Sequence, residues 1–248
     1  MDIKRVTSLQ PAREIPQLQA LYHRDRPKDA FGKEKPGGWY RIQNLSPTEA
    51  EVYIYDHIGD FGITADDFVK DFSDIRASKI TVRINSPGGE VWDAFAIFNA
   101  IRRHKAQVIT VVDGVAASAA SFVAMAGDRV VMSPHSQMLI HNATGLALGD
   151  ADDMRDMADM LDKMSDNIAS VYANKTGGSL EEWRDHMKAE MLISDAEAVE
   201  LGLADEIDGE DAETVAARAK AKIKPEAKIE PKPDFPDWSK ELADLVTA

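Results

Sequence analysis

The chain has no cysteine in 248 residues, which removes disulfides, thiolate metal sites and cysteine nucleophiles from consideration. No uninterrupted apolar stretch approaches the roughly 18 residues that a membrane span needs. Positive charge is scarce: 29 Lys and Arg stand against 43 Asp and Glu, a formal net charge of −14. That balance argues against general nucleic-acid binding, which needs clustered Lys and Arg for phosphate contacts. The N-terminal MDIKRVTSLQPAREIPQLQ lacks the apolar core of a secretory signal. None of the six histidines stands in HExxH or carboxylate–histidine metal spacing, so no metal is expected. Length and a 44% hydrophobic fraction permit one well-buried domain with appendages, and the expected setting is cytoplasmic.

Composition divides what is present into three parts. Residues 1–47 form a polar arm, broken by Pro11, Pro16, Pro27, Pro36 and Gly37-Gly38, with one short amphipathic helix expected around Ile15, Leu18, Leu21 and Tyr22. Residues 48–207 alternate between the periods of strand and helix. Strands are expected at Glu51–Tyr55, Ile80–Ile84, Val108–Val112, Arg129–Met132 and Gln137–Ile140. Helices are expected after Thr64, burying Phe68, Phe72 and Ile75, and over Val91–Arg103, Ala116–Ala126 and Ala151–Ala173. This order predicts an α/β domain on a largely parallel sheet. The last helix carries a stripe of Met154, Met157, Leu161, Met164, Ile168 and Val171; it either packs on its own domain or meets a neighbouring subunit. Residues 208–248 read as a Lys/Pro/Glu-rich linker ending in a docking segment with Phe235, Trp238, Leu242 and Leu245.

Three places combine turn chemistry with reactive groups. Asn85-Ser-Pro-Gly-Gly-Glu90 joins a strand to a helix, and consecutive glycines let backbone N–H groups approach a ligand. It lacks the lysine and hydroxyl of a phosphate loop. Asp113-Gly-Val-Ala-Ala-Ser-Ala-Ala-Ser121 is a strand end entering a helix of tiny side chains, where Ser118 or Ser121 offers a nucleophile or merely close packing; it is not a GxSxG elbow. Met138-Leu-Ile-His141 places a histidine where an apolar strand ends, suited to act as general base if a third group holds its other ring nitrogen.

In order and spacing, Ile84-Asn-Ser-Pro-Gly-Gly89, Gly114-Val-Ala-Ala-Ser118, Met138-Leu-Ile-His141 and Ala198-Val-Glu-Leu-Gly-Leu-Ala-Asp205 resemble ClpP, the proteolytic subunit of the Clp protease. The likeness covers about residues 50–207 and looks closest to the ClpP-related head-maturation proteases of tailed phages. It implies a ClpP/crotonase-like spiral of β-β-α units, with residues 151–173 as a projecting handle through which rings of identical subunits meet. It further implies Ser118 as nucleophile, His141 as base, and the Gly89 and Ala119 N–H groups as oxyanion hole. Substrate backbone would lie against Gly88, Val91, Asn142 and Thr144, with 144–149 as the strand beside it. The family's third catalytic position falls on Glu190, where the family has Asp; Asp185 and Asp195 are its neighbours in sequence.

The resemblance therefore implies a serine endopeptidase acting on polypeptide with no cofactor, with capsid or scaffold protein as the natural substrate, and a Glu190→Gln loss of orders of magnitude. The axial N-terminal segment of ATPase-coupled members has no recognisable counterpart in 1–47, so an AAA+ unfoldase partner is not carried over. The alternatives are an ATPase-coupled Clp-type subunit and a catalytically silent ring or scaffold subunit. A crotonase-type acyl-CoA enzyme shares the fold but does not require the Ser118–His141 pairing. Signal-peptide peptidases share the SPGG motif but use a serine–lysine pair.

Overall fold

A computed structural model describes residues 40–59 and 64–222. One eight-stranded sheet organises them: β1 (Tyr40–Asn44), β2 (Glu49–Ile54), β3 (Lys79–Ser86), β4 (Gln107–Ala117), β5 (Arg129–Met132), β6 (Gln137–Leu139), β7 (Leu192–Ser194) and β8 (Glu206–Ile207). The main path runs β1-β2-β3-β4-β5-β8, with β6 bridging β4 to β7. β2, β3, β4, β5 and β8 pair in parallel, as does β6 on β4; only β1–β2 and β6–β7 are antiparallel. The helices are α1 (Ala65–Ser73), α2 (Val91–Arg103), α3 (Ala119–Ala124), α4 (Ala151–Thr176), α5 (Leu180–Lys188), α6 (Asp195–Glu200) and α7 (Ala212–Lys222).

The central strands are Val and Ile because helices cover the sheet, leaving alternate or consecutive side chains without water. Val52, Ile54, Ile80, Val82, Ile84 and Val112 are fully buried. Thr64 starts α1 with a capping box to Asp67, and Phe68 and Phe72 stack on its buried face. Ile75 is buried as expected, but one residue beyond the C-cap rather than on the helix.

Two strand details direct the chain toward the candidate site. Between Ile84↔Val112 and Ser86↔Ala116 the β3–β4 register slips, and Asn85 Oδ1 fills the gap by accepting the Val115 N–H at 3.2 Å. Beyond this bulge β4 leaves β5 and pairs with β6 instead. Such a bulge bends the strand and redirects its end.

Several boundaries differ from expectation. The helix expected over Ala116–Ala126 is shorter, because Ala116 and Ala117 extend β4 and pair with Met138 and Leu139. The sheet starts before residue 48: Tyr40–Asn44 pair antiparallel with Ala50–Ile54. The segment past 208 is not all linker, since α7 packs Val215 into the core and sends Arg218 to Asp195. Residues 144–149 form no strand. The helix expected in 15–22, the rest of the polar arm up to residue 39 and the Phe235–Leu245 segment lie outside the described residues. Helix α4 divides the two readings of its stripe: Met164 and Ile168 are buried, whereas Met154 is 41% exposed. Among the described residues no helix is long and apolar enough to cross a membrane.

Candidate active site

The bend in β4 delivers Ser118 to the N-cap of α3 with φ 53° and ψ −125°. A side chain other than glycine rarely holds positive φ, at a cost of order 1–3 kcal/mol. Both backbone groups of Ser118 are fixed: its N–H donates to Leu139 O at 2.8 Å, and its carbonyl accepts from the Ser121 N–H at 3.0 Å. The side chain stays partly exposed. Ser121, by contrast, is fully buried, with its hydroxyl on the Ser118 carbonyl and 2.7 Å from the Tyr172 hydroxyl. Burial pushes the Tyr172 phenol well above its ordinary pKa, so it stays a neutral partner. Of the two serines in the motif, Ser118 is the accessible one and Ser121 the packed one.

The glycine turn lies directly against this residue. A Cβ on Gly88 (φ 94°) would fall 2.5 Å from Ala117 O and 2.8 Å from both Ala119 N and Ser118 Cβ. On Gly89 it would strike Ile58 O at 1.9 Å. Only glycine permits that approach. The turn is pinned from outside: the Ser86 hydroxyl donates to Asp56 O, Ile58 N–H to Gly88 O, and Glu90 N–H to Ile58 O. Ala119 is the first residue of α3, where a backbone N–H has no acceptor four residues back.

His141 leaves β6 two residues after the carbonyl that holds Ser118, so the serine and the histidine sit at adjacent strand ends. Its Nδ1 lies 2.7 Å from the carbonyl oxygen of Asn142. A carbonyl only accepts, so this contact calls for a proton on Nδ1; in the neutral ring that leaves the lone pair on Nε2.

The β6–β7 ladder stops short of Glu190. Met138↔Ile193 and Leu139↔Leu192 pair and Ile140 N–H donates to Met191 O; Glu190, one residue earlier, lies in the turn after α5, its N–H donating to Met187 O at 3.1 Å. Glu190 is exposed and has φ 51°. Its two rivals are elsewhere. Asp195 is fully buried and accepts from the His135 and Ala196 N–H groups and from Arg218. Asp185 is exposed on α5. Val91 begins α2, while Asn142 and Thr144 follow His141 in a segment without regular secondary structure. No motif points to the Asn142 carbonyl as an acceptor, to Ser165, whose hydroxyl accepts the Ala143 N–H, or to Arg184, which donates to Asn142 Oδ1. Among the described residues no group of His, Asp and Glu is arranged to hold a metal ion.

The family model that matches, over residues 40–211, is described as Clp protease. The ATP-dependent Clp protease proteolytic subunit 1 of Synechococcus sp. (strain CC9902) is 36% identical over 130 residues, covering 52% of this chain and 66% of that protein. The ATP-dependent Clp protease proteolytic subunit of Chlorella vulgaris is 32% identical over 128 residues, 51% of this chain and 64% of that one. That of Pleurastrum terricola is 27% identical over 180 residues, 71% and 92% respectively. The chain thus spans just under two thirds of the length of the first two relatives.

Proposed function

The chain belongs to the Clp protease family, and from that premise we propose that it is a serine endopeptidase using Ser118, His141 and Glu190. The observation that carries the reading is Ser118 itself: a partly exposed hydroxyl on a strained backbone, set against a glycine turn. In the proposed reaction His141 Nε2 takes the hydroxyl proton as Ser118 Oγ attacks the peptide carbonyl. The Gly89 and Ala119 N–H groups receive the developing oxyanion, a donor of this kind being worth about 3 kcal/mol. His141 then protonates the leaving amine, and water repeats the sequence on the acyl-enzyme. Glu190 stabilises the imidazolium that forms in each half. Extended substrate adds its backbone between Gly88–Val91 and Asn142–Thr144. A fluorophosphonate probe tests this: it labels Ser118 in the wild type, with the adduct located by mass spectrometry, and Ser118→Ala loses both label and peptidase activity. Labelling of Ser121 instead would refute the assignment.

The proposal extends to a homo-oligomeric ring that meets its partners through the N-terminal half of α4. Leu146, Leu148 and Met154 are exposed beside that half, an apolar surface that suits an interface. For substrate we propose phage capsid or scaffold protein, supported by the polar arm and the Lys/Pro-rich tail; mapping cleavage sites in a co-expressed capsid protein tests it. A second reading is favoured by the names of the relatives, which are ATP-dependent subunits: in it an unfoldase feeds the ring. Degradation of a folded protein only when an AAA+ partner and ATP are added would select that reading.

A further inference from the structure

The Asn142 carbonyl that takes the His141 ring proton belongs to the same peptide plane as the Ala143 N–H. That N–H donates to Ser165 Oγ at 3.0 Å, and the Ser165 hydroxyl donates in turn to Leu161 O at 2.8 Å. Ser165 is buried on α4, with 2% of its surface exposed. A hydroxyl in a helix interior satisfies itself on the preceding turn; here its lone pair also receives a peptide from another segment. The result is a continuous chain of donors and acceptors from the imidazole, through one peptide unit, into α4. Each bond polarises the next, so donation by Ala143 N–H makes the Asn142 carbonyl a better acceptor. The adjoining side chain is held as well: Arg184 on α5 donates to Asn142 Oδ1 and to Asp162 at 2.9 Å each and pairs with Asp166 at 3.1 Å. One guanidinium fork thereby fastens the residue after the base to α4.

We infer that Ser165 and Arg184 are positioning residues for His141, acting through the Asn142–Ala143 peptide to hold the imidazole in the tautomer that accepts the serine proton. Neither needs to touch substrate or the reacting atoms. The inference rests on the proposed role of His141 and adds the group that fixes its Nδ1–H, whatever Glu190 contributes from the turn before β7. It also couples the base to α4, so a displacement of α4 at Ser165 would turn the peptide and loosen the imidazole.

The test is a pH–rate series on full-length protein with a fluorogenic peptide. Ser165→Ala should lower kcat about 5- to 50-fold with KM changed less than about 3-fold, because the bond strengthens as imidazolium forms. The acid limb of kcat/KM should move to lower pH, since a weaker Nδ1–H acceptor stabilises imidazolium less. Ser165→Thr keeps a hydroxyl that can bond the same carbonyls and should recover most of kcat and the wild-type limb. Arg184→Met should show a smaller fall in kcat, about 2- to 5-fold, with the same direction of limb shift. Arg184 is at the surface edge, so this variant carries the test if Ser165→Ala does not fold. Wild-type kcat and limb position in a folded Ser165→Ala, or failing that in Arg184→Met, overturn the inference. Failure of the underlying reading looks different: His141→Ala would then keep its activity and its probe labelling.

Discussion

Glu190→Gln is the substitution on which a resemblance and the geometry make different forecasts. In serine–histidine–aspartate enzymes, replacing the carboxylate by its amide costs about 10⁴ in turnover, chiefly because the imidazole adopts the wrong tautomer. Here the Asn142 carbonyl, 2.7 Å from Nδ1, accepts only a proton-bearing nitrogen and so preserves the useful tautomer without Glu190. What remains to be lost is the attraction between carboxylate and imidazolium. A separation of about 5 Å, that of neighbouring side chains on adjacent chain segments, sets the scale for a carboxylate that reaches the ring from the turn before β7. At effective dielectrics of roughly 20–40 a unit pair at that distance is worth about 1.5–3 kcal/mol. Glu190 is exposed, so the lower end applies, about 10-fold in turnover.

The measurement is kcat and KM on a fluorogenic peptide for Glu190→Gln, Glu190→Asp and the wild type. Glutamine should lower kcat about 10-fold with KM nearly unchanged, since the interaction grows only as imidazolium forms. Aspartate should retain more activity than glutamine, because its charge survives. A fall near 10⁴-fold would mean that Glu190 alone sets the tautomer and that the carbonyl bond does not persist in solution. An unchanged kcat would remove Glu190 from the mechanism.

Ser121→Ala should keep probe labelling and most activity while losing about 1–2 kcal/mol of stability in denaturant melts, because the Ser118 carbonyl keeps the Ser121 N–H but the Tyr172 hydroxyl loses a buried partner. Burial alone would raise the Asp195 carboxyl, but the His135 N–H, Arg218 and the Ala196 N–H hold it below its ordinary value. Its stabilisation is therefore present above the unfolded pKa near 3.9 and lost as pH falls toward the depressed folded value; thermal melts of Asp195→Asn should show a lower Tm at pH 7 and a shallower fall on acidification than the wild type. Met157→Asp changes a partly exposed position and should leave circular dichroism unchanged while lowering the mass seen by light scattering; an unchanged assembly would remove that part of α4 from the interface. Met164 is buried, so an aspartate there would report on the core instead.

Side-chain periodicity carried most of the fold. Ile80, Val82 and Ile84 alternate as a half-covered strand must, and Ala94, Ile97 and Ile101 repeat as one face of a helix. The misreadings fall where that signal is faint. Ala116 and Ala117 suit a strand or a helix equally in composition, and only their pairing with β6 decides. In β1, Tyr40 and Ile42 do alternate with Arg41 and Gln43, but the preceding Gly37-Gly38 disguised the strand as part of the arm. Among the side chains described in helix α7 one apolar residue, Val215, is buried, and its Ala and Lys content read as linker. At the candidate site the motifs pointed to the side chains for which a chemical role is proposed. The backbone acceptors that orient them, at Asn142 and Leu139, have no side-chain signature.

The strained serine shows how the two kinds of information combine. Positive φ at Ser118 costs of order 1–3 kcal/mol, and isolated Ala-Ser chain would relax it. The conformation persists because its N–H is taken by β6 and its carbonyl by Ser121, while Gly88 packs where any other residue would push the 117–119 backbone away. Each restraint is itself buried: Met138 and Ile140 flank Leu139 with no exposure, and Ser86 ties the glycine turn from within the core. The side-chain hydroxyl of Ser118 takes part in none of these restraints. It is therefore free to react without disturbing the framework, and Ser118→Ala should leave Tm within about 1 kcal/mol equivalent of the wild type. A large loss of stability in that variant would mean that the hydroxyl is structural and that the backbone bonds do not suffice.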